Sequence, residues 1–127
     1  MELDKWFALT SMSTLSGTLD AVIGLLSHPG YDLRTPNRVR AVVGSFASGN
    51  QVRFHSADGA GYRFLADRVL ELEPINPQVA ARLMQPLTRW RRFDKNRQGL
   101  MIEQLTRVAE TPGLSKNVFE IASKGLA

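Results

Sequence analysis

The stretch Asn76–Asp94, NPQVAARLMQPLTRWRRFD, decides the fold. Asn76 is a good helix N-cap, and Pro77 suits the first helical position, where its missing N–H would have no partner anyway. From there Val79, Leu83, Leu87 and Trp90 recur at helical spacing and form an apolar stripe. About a quarter-turn away, Gln78, Arg82, Gln85 and Arg89 follow at steps of four, three and four, so they make one polar ridge. Pro86 falls inside the pattern and predicts a kink or break near Gln85. The segment therefore buries one face and presents a row of amides and guanidinium groups on another.

The stripes on either side have the same period. Upstream, Leu15, Leu19, Val22 and Leu26 form a regular stripe that His28-Pro29-Gly30 stops. Thr35-Pro36 starts the next helix, with Val39, Val42, Val43 and Phe46 on its core face and Asn37, Arg40 and Gly44 on a neighbouring polar one. Asp58 is read as the cap of a helix reaching about Glu73. Its main face is Tyr62, Leu65, Val69 and Leu72, while Phe64 projects from nearly the opposite side. A helix that wants burial on two sides usually has neighbours on both, as in stacked helix pairs. Downstream, Asp94 caps a helix with Met101, Leu105 and Val108 inward, and Thr111-Pro112-Gly113 stops it. Ser115 caps the last helix, which turns Val118, Ile121 and Ala122 inward.

At the front, Leu3, Trp6 and Phe7 share a face, and the apolar pattern starts with almost no polar lead-in. This favours Met1 having been placed inside a longer chain. No segment alternates convincingly as a strand. The expected class is all-α, about seven helices in antiparallel pairs joined by short turns.

Composition narrows the function. The chain has 127 residues, 43% of them hydrophobic, enough for one domain with a modest core. It has no cysteine, which excludes a disulfide framework, thiolate metal sites and a cysteine nucleophile, and fits a reducing compartment. The start MELDKWFALT lacks the basic segment and long apolar core of a signal peptide. No apolar run approaches the ~20 residues of a membrane span, so a soluble chain is expected. Sixteen basic residues against 12 acidic ones leave a net charge of +4, compatible with nucleic acid without requiring it.

Catalytic patterns are missing. The two histidines, His28 and His55, are far apart, and no H-E-x-x-H places two imidazoles on one helix face. There is no G-x-S-x-G elbow and no Walker loop. Gly59-Ala60-Gly61 has no strand before it and no third glycine, so it reads as an easy entry into a helix. His55 reads as a structural hydrogen-bonding partner. Arg91, Arg92, Lys95 and Arg97 read as a solvated charged face.

Several motifs in order carry a resemblance: Asp4-Lys5-Trp6-Phe7; Pro36-Asn37-Arg38-Val39-Arg40; Phe54-His55 with Asp58-Gly59-Ala60-Gly61-Tyr62; Asn76-Pro77-Gln78-Val79-Ala80 with Arg82-Leu83 and Pro86-Leu87; and the tail Leu114-Ser115, Lys124 and Leu126-Ala127. Together they resemble the C-terminal end of bacterial aminopeptidase N, over essentially all of residues 1–127. The resemblance implies an α-α superhelix of helix pairs, similar to armadillo or HEAT repeats. It also implies a cytoplasmic, multidomain zinc peptidase of the thermolysin-like superfamily, whose metal and exopeptidase motifs lie in an upstream catalytic domain absent here. By this reading the chain is a single, non-catalytic C-terminal domain with no cofactor of its own. Its partners are the catalytic domain of the same polypeptide and peptide substrates, with no nucleic acid or membrane partner.

The same resemblance places Arg82, Gln78 and Arg40 towards the internal chamber. It implies that Arg82, one turn after Gln78, meets the peptide downstream of the scissile bond, with Arg40 in a positive wall. An arginine fork can hold a backbone carbonyl or a carboxylate. Three alternatives stay open: ordinary surface or inter-helix hydrogen bonding for these residues, a stand-alone helical-repeat module that binds a peptide or protein, and a basic nucleic-acid-binding domain using Trp90 amid Arg89, Arg91 and Arg92. Self-association of an isolated fragment, through helix faces left without neighbours, is open too.

Overall fold

Residues 18–26, 39–49, 54–55 and 58–126 are described by a computed structural model. Among them every regular element is helical. The expected opening helix with Leu3, Trp6 and Phe7 lies outside the described residues, as do Leu15, the His28-Pro29-Gly30 stop and the Thr35-Pro36 cap. The chain forms two compact units, residues 1–54 and 55–127.

In the first unit, α1 (Thr18–Leu25) packs against a π-helix, Arg40–Gly49. Of the residues expected to face the core, Val22, Val39, Val42, Val43 and Phe46 are buried, whereas Leu26 is only half-buried and Leu25 is buried beside it. The winding is wider than expected, with the Ser45 hydroxyl donating 3.4 Å to the Arg40 carbonyl five residues back, in step with the i→i+5 turn. Phe54 closes this core edge-on to Phe46, with ring centroids 6.0 Å apart and planes at 89°.

The second unit holds α2 (Ala60–Leu72), α3 (Pro77–Leu83), a 3₁₀ segment (Gln85–Arg92), α4 (Lys95–Ala109) and α5 (Lys116–Leu126). Consecutive helices pair, α2 with α3 and α4 with α5, and the pairs stack, α2 on α4 and α3 on α5. Tyr62, Leu65, Val69 and Leu72 from α2 meet this core with Met101, Leu105 and Val108 from α4 and Val118 and Ala122 from α5, all essentially without solvent access. Phe64 is buried as well, so α2 is covered on both of the sides its sequence called for.

The start of α2 differs from expectation. Gly59, not Asp58, occupies the N-cap position, with φ 75° and ψ 8° in the left-handed region that a side chain disfavours. Asp58 still contributes, because its carboxylate accepts the Ala60 N–H at 3.0 Å. A Cβ on Gly59 would also lie 3.1 Å from Leu100 Cδ2, so the backbone passes close to α4 here.

Pro86 acts as the sequence indicates. It has no N–H to offer the Arg82 carbonyl, and its ring would crowd that carbonyl. The α-helix stops at Leu83, and the chain goes on in tighter turns, with Leu87 N–H bonded to the Met84 carbonyl at 2.9 Å. Arg89 departs from helical geometry at φ −94°, ψ 22°, and Phe93 is extended.

Candidate functional site

Local chemistry fixes the two walls of the site. The Asn76 side chain accepts the Val79 N–H at 3.2 Å and Pro77 follows it, which sets the start of α3. The stripe Val79, Leu83 and Leu87 is buried, and Trp90 half-buried, so the ridge Gln78, Arg82, Gln85 and Arg89 is left on the exposed side. Opposite, Ser115 Oγ accepts the Val118 N–H, and the Ser115 N–H donates to the Glu73 carboxylate. The start of α5 is thereby tied to the end of α2.

Between α3 and α5 lies an open groove of about 550 Å³, lined by Gln78, Arg82, Lys116, Asn117 and Glu120 around Ile121. The two ridge residues singled out from sequence thus share one concavity. Arg40 is exposed on the π-helix of the other unit. Lys116, Asn117 and Glu120 carried no recognisable motif; only their spacing against the buried Val118 and Ala122 could have marked them as the free face of α5. A second groove of about 320 Å³ adjoins at Ile121 and is lined by Gln85, Thr88, Arg91, Lys124 and Gly125.

Trp90 holds α5 against the 3₁₀ segment. Its indole N–H donates to the Gly125 carbonyl at 2.7 Å, and the Arg91 guanidinium lies over its ring at 4.3 Å. The ring that could have stacked on a nucleobase is engaged inside the domain.

A separate polar cluster surrounds His55, which accepts or donates through Nδ1 to the Tyr62 hydroxyl at 2.7 Å and stacks on Phe93 with centroids 4.2 Å apart. Arg97 Nε donates to the His55 carbonyl at 2.7 Å, and its NH1 group bonds Asp94 at 2.9 Å. His55 is therefore the structural hydrogen-bonding partner expected. Arg97, in contrast, does not belong to a merely solvated face. Its 42-residue reach to His55 left no local signal, although the i, i+3 spacing from Asp94 did.

Burial, then the Arg97 charge, lowers the His55 pKa from its ordinary 6.5, and burial pushes the Tyr62 hydroxyl up to about 12. Both groups are neutral at pH 7. Because folded His55 binds its proton less readily than unfolded His55, its contribution to stability is complete above pH 6.5 and is lost as pH falls below it. The urea midpoint should fall between pH 7.5 and 5.5, and His55→Gln should flatten that fall. An unchanged slope in the variant would refute this assignment.

Among the described residues no group of three or more His, Asp or Glu side chains could hold a metal ion, and the His55 Nδ1 is already engaged with Tyr62. Nor is any helix among them long and apolar enough to cross a membrane.

Residues 1–127 match the family described as "Domain of unknown function (DUF3458_C) ARM repeats". The chain belongs to this ARM-repeat family. The domain is 48% identical over 124 residues to Aminopeptidase N of Caulobacter vibrioides and 46% identical to that of Haemophilus influenzae, each match covering 98% of this chain and 14% of the relative. The matched part is the relatives' C-terminal region, as the sequence motifs indicated. Among solved structures, Legionella pneumophila aminopeptidase A in complex with aspartic acid superposes with a TM-score of 0.92 at 36% identity, covering 98% of this chain and 14% of that one. The ARM-repeat domain thus spans about one-seventh of the relatives it matches.

Proposed function

We propose that this ARM-repeat chain is the single, non-catalytic C-terminal domain of a zinc-dependent aminopeptidase that removes N-terminal residues from peptides in the bacterial cytoplasm. The observation that carries the reading is the match itself: nearly all of this chain aligns at 48% identity with only 14% of an aminopeptidase N. The zinc and its ligands then belong to the catalytic domain of the same polypeptide. The role of the ARM-repeat domain is to close the active-site chamber and shape access to it. Arg82, supported by Gln78, contacts the peptide downstream of the scissile bond, and Arg40 contributes to a positive wall. The exposed ridge and its groove support this role, because guanidinium and amide groups facing an open concavity suit a peptide's carbonyls and carboxylates.

The size of the native protein tests the reading. An antibody against this chain should detect, in extract of the source cells, a band several times larger than 14.1 kDa that co-migrates with zinc-dependent aminopeptidase activity. A band near 14 kDa alone would overturn the reading in favour of a stand-alone peptide- or protein-binding module.

A further inference from the structure

The two grooves beside α5 share Ile121 in their linings, and together they are termed the trough. Along it α5 presents Asn117, Glu120, Ile121 and Lys124, the i, i+3, i+4, i+7 face of a helix, towards Gln78 and Arg82 of α3 and Gln85 of the 3₁₀ segment. The charge is one-sided. Arg82, Lys116, Arg91 and Lys124 line the trough, against the single carboxylate of Glu120. The side chains of Gln78, Arg82, Gln85, Lys116, Asn117, Glu120 and Lys124 make no hydrogen bond or ion pair among the described residues. Glu120 therefore does not neutralise the neighbouring cations by direct pairing, and three amides stand ready for a peptide backbone.

Resting on the peptide-channel reading above, we propose that this trough is a carboxylate subsite, in which Lys116 and Lys124 act with Arg82 to hold the carboxylate-bearing end of an extended peptide. From Lys116 to Lys124, α5 rises roughly 12 Å, the length of about three to four extended residues. The amides of Gln78, Gln85 and Asn117 bond the backbone, and the lysines select for negative charge. The carboxylate has two sources, the peptide's own C-terminus or an Asp or Glu side chain near it.

The test is a titration of the ¹⁵N-labelled 127-residue chain, followed by NMR, with three N-acetylated tetrapeptides. They are tetra-alanine with a free C-terminus, its C-terminal amide, and the amide with Asp as last residue. The free acid should shift the amide signals of Asn117, Ile121 and Lys124 and bind about fivefold tighter than the tetra-alanine amide, the effect of about 1 kcal/mol from exposed charge pairs. Equal tightness of the Asp amide would support the subsite with either source of carboxylate; weaker binding of the Asp amide would support it for the terminal carboxylate alone. The exposed double substitution Lys116→Gln, Lys124→Gln should abolish the difference. Equal binding of all three peptides, or unshifted signals at about 10 mM peptide, would overturn the proposal. Because binding is read without turnover, this result is separate from the aminopeptidase reading, which the native size decides.

Discussion

Leu87→Ala should lower the unfolding free energy of the second unit by about 2–5 kcal/mol, while Arg82→Ala and Gln78→Ala should each change it by less than about 0.5 kcal/mol. Leu87 has no solvent access, and its side chain sits in the tight turns that follow Pro86, between α3 and α4 in the chain. Truncation removes buried apolar contact and leaves a cavity that a proline-constrained segment cannot easily collapse to fill. Arg82 and Gln78, one face away, are exposed, and their side chains make no hydrogen bond or ion pair among the described residues. Urea unfolding of the three variants measures the contrast. A large loss at Arg82 would mean that the ridge is part of the scaffold, and its availability to a peptide would be lost as an explanation.

Gly125→Ala should destabilise by about 1–3 kcal/mol, although alanine is intrinsically the better helix former. The new Cβ would lie 2.9 Å from Thr88 Cγ2 and 3.3 Å from Thr88 Cβ. Thr88 cannot turn away freely, because its hydroxyl donates to the Gln85 carbonyl at 2.7 Å and its branched side chain has few rotamers. The displaced α5 would also strain the Trp90 bond to the Gly125 carbonyl. Gly99 on α4 is the control, since it is exposed with open space around its Cβ position. Gly99→Ala should stabilise by roughly 0.5–1 kcal/mol, the ordinary gain from filling a helix interior. Thermal denaturation should show the two substitutions moving Tm in opposite directions, and Thr88→Ala should recover part of the Gly125→Ala loss. Same-direction shifts would contradict the close packing of α5 on the 3₁₀ segment.

Much of this was legible because the informative patterns are local. Asn76-Pro77 and Asp94 announce helix starts through side chains that reach only three residues, and the structure shows both reaches, to Val79 and Arg97. The stripes through α2 and α4, and Val118 and Ala122 on α5, follow from a fixed period, and so does the exposure of Gln78 and Arg82; Ile121, expected inward, instead lines the groove. The break before Pro86 follows from its missing N–H. Where the reading fell short, the cause is either conformational degeneracy or distance. Val42, Val43 and Phe46 are buried in a π-helix, with Val39 buried just before it, as they would be in an α-helix, so hydrophobic spacing could not tell the two apart. Asp58 looked like the cap because its side chain has the right chemistry, yet the left-handed Gly59 takes that position one residue later. The stacking of α3 on α5, which creates the groove, joins segments about forty residues apart, and no period within either helix encodes it. Arg97 escaped for the same reason.

The central claim is that the exposed ridge meets peptide substrate, and Arg82→Ala in the proposed full-length aminopeptidase tests it most directly. Removing the guanidinium should raise KM for tri- and tetrapeptides by about tenfold, the loss of one charge-assisted hydrogen bond, and leave KM for a single-residue anilide nearly unchanged. Equal effects on the long and short substrates, or no effect on either, would contradict the account.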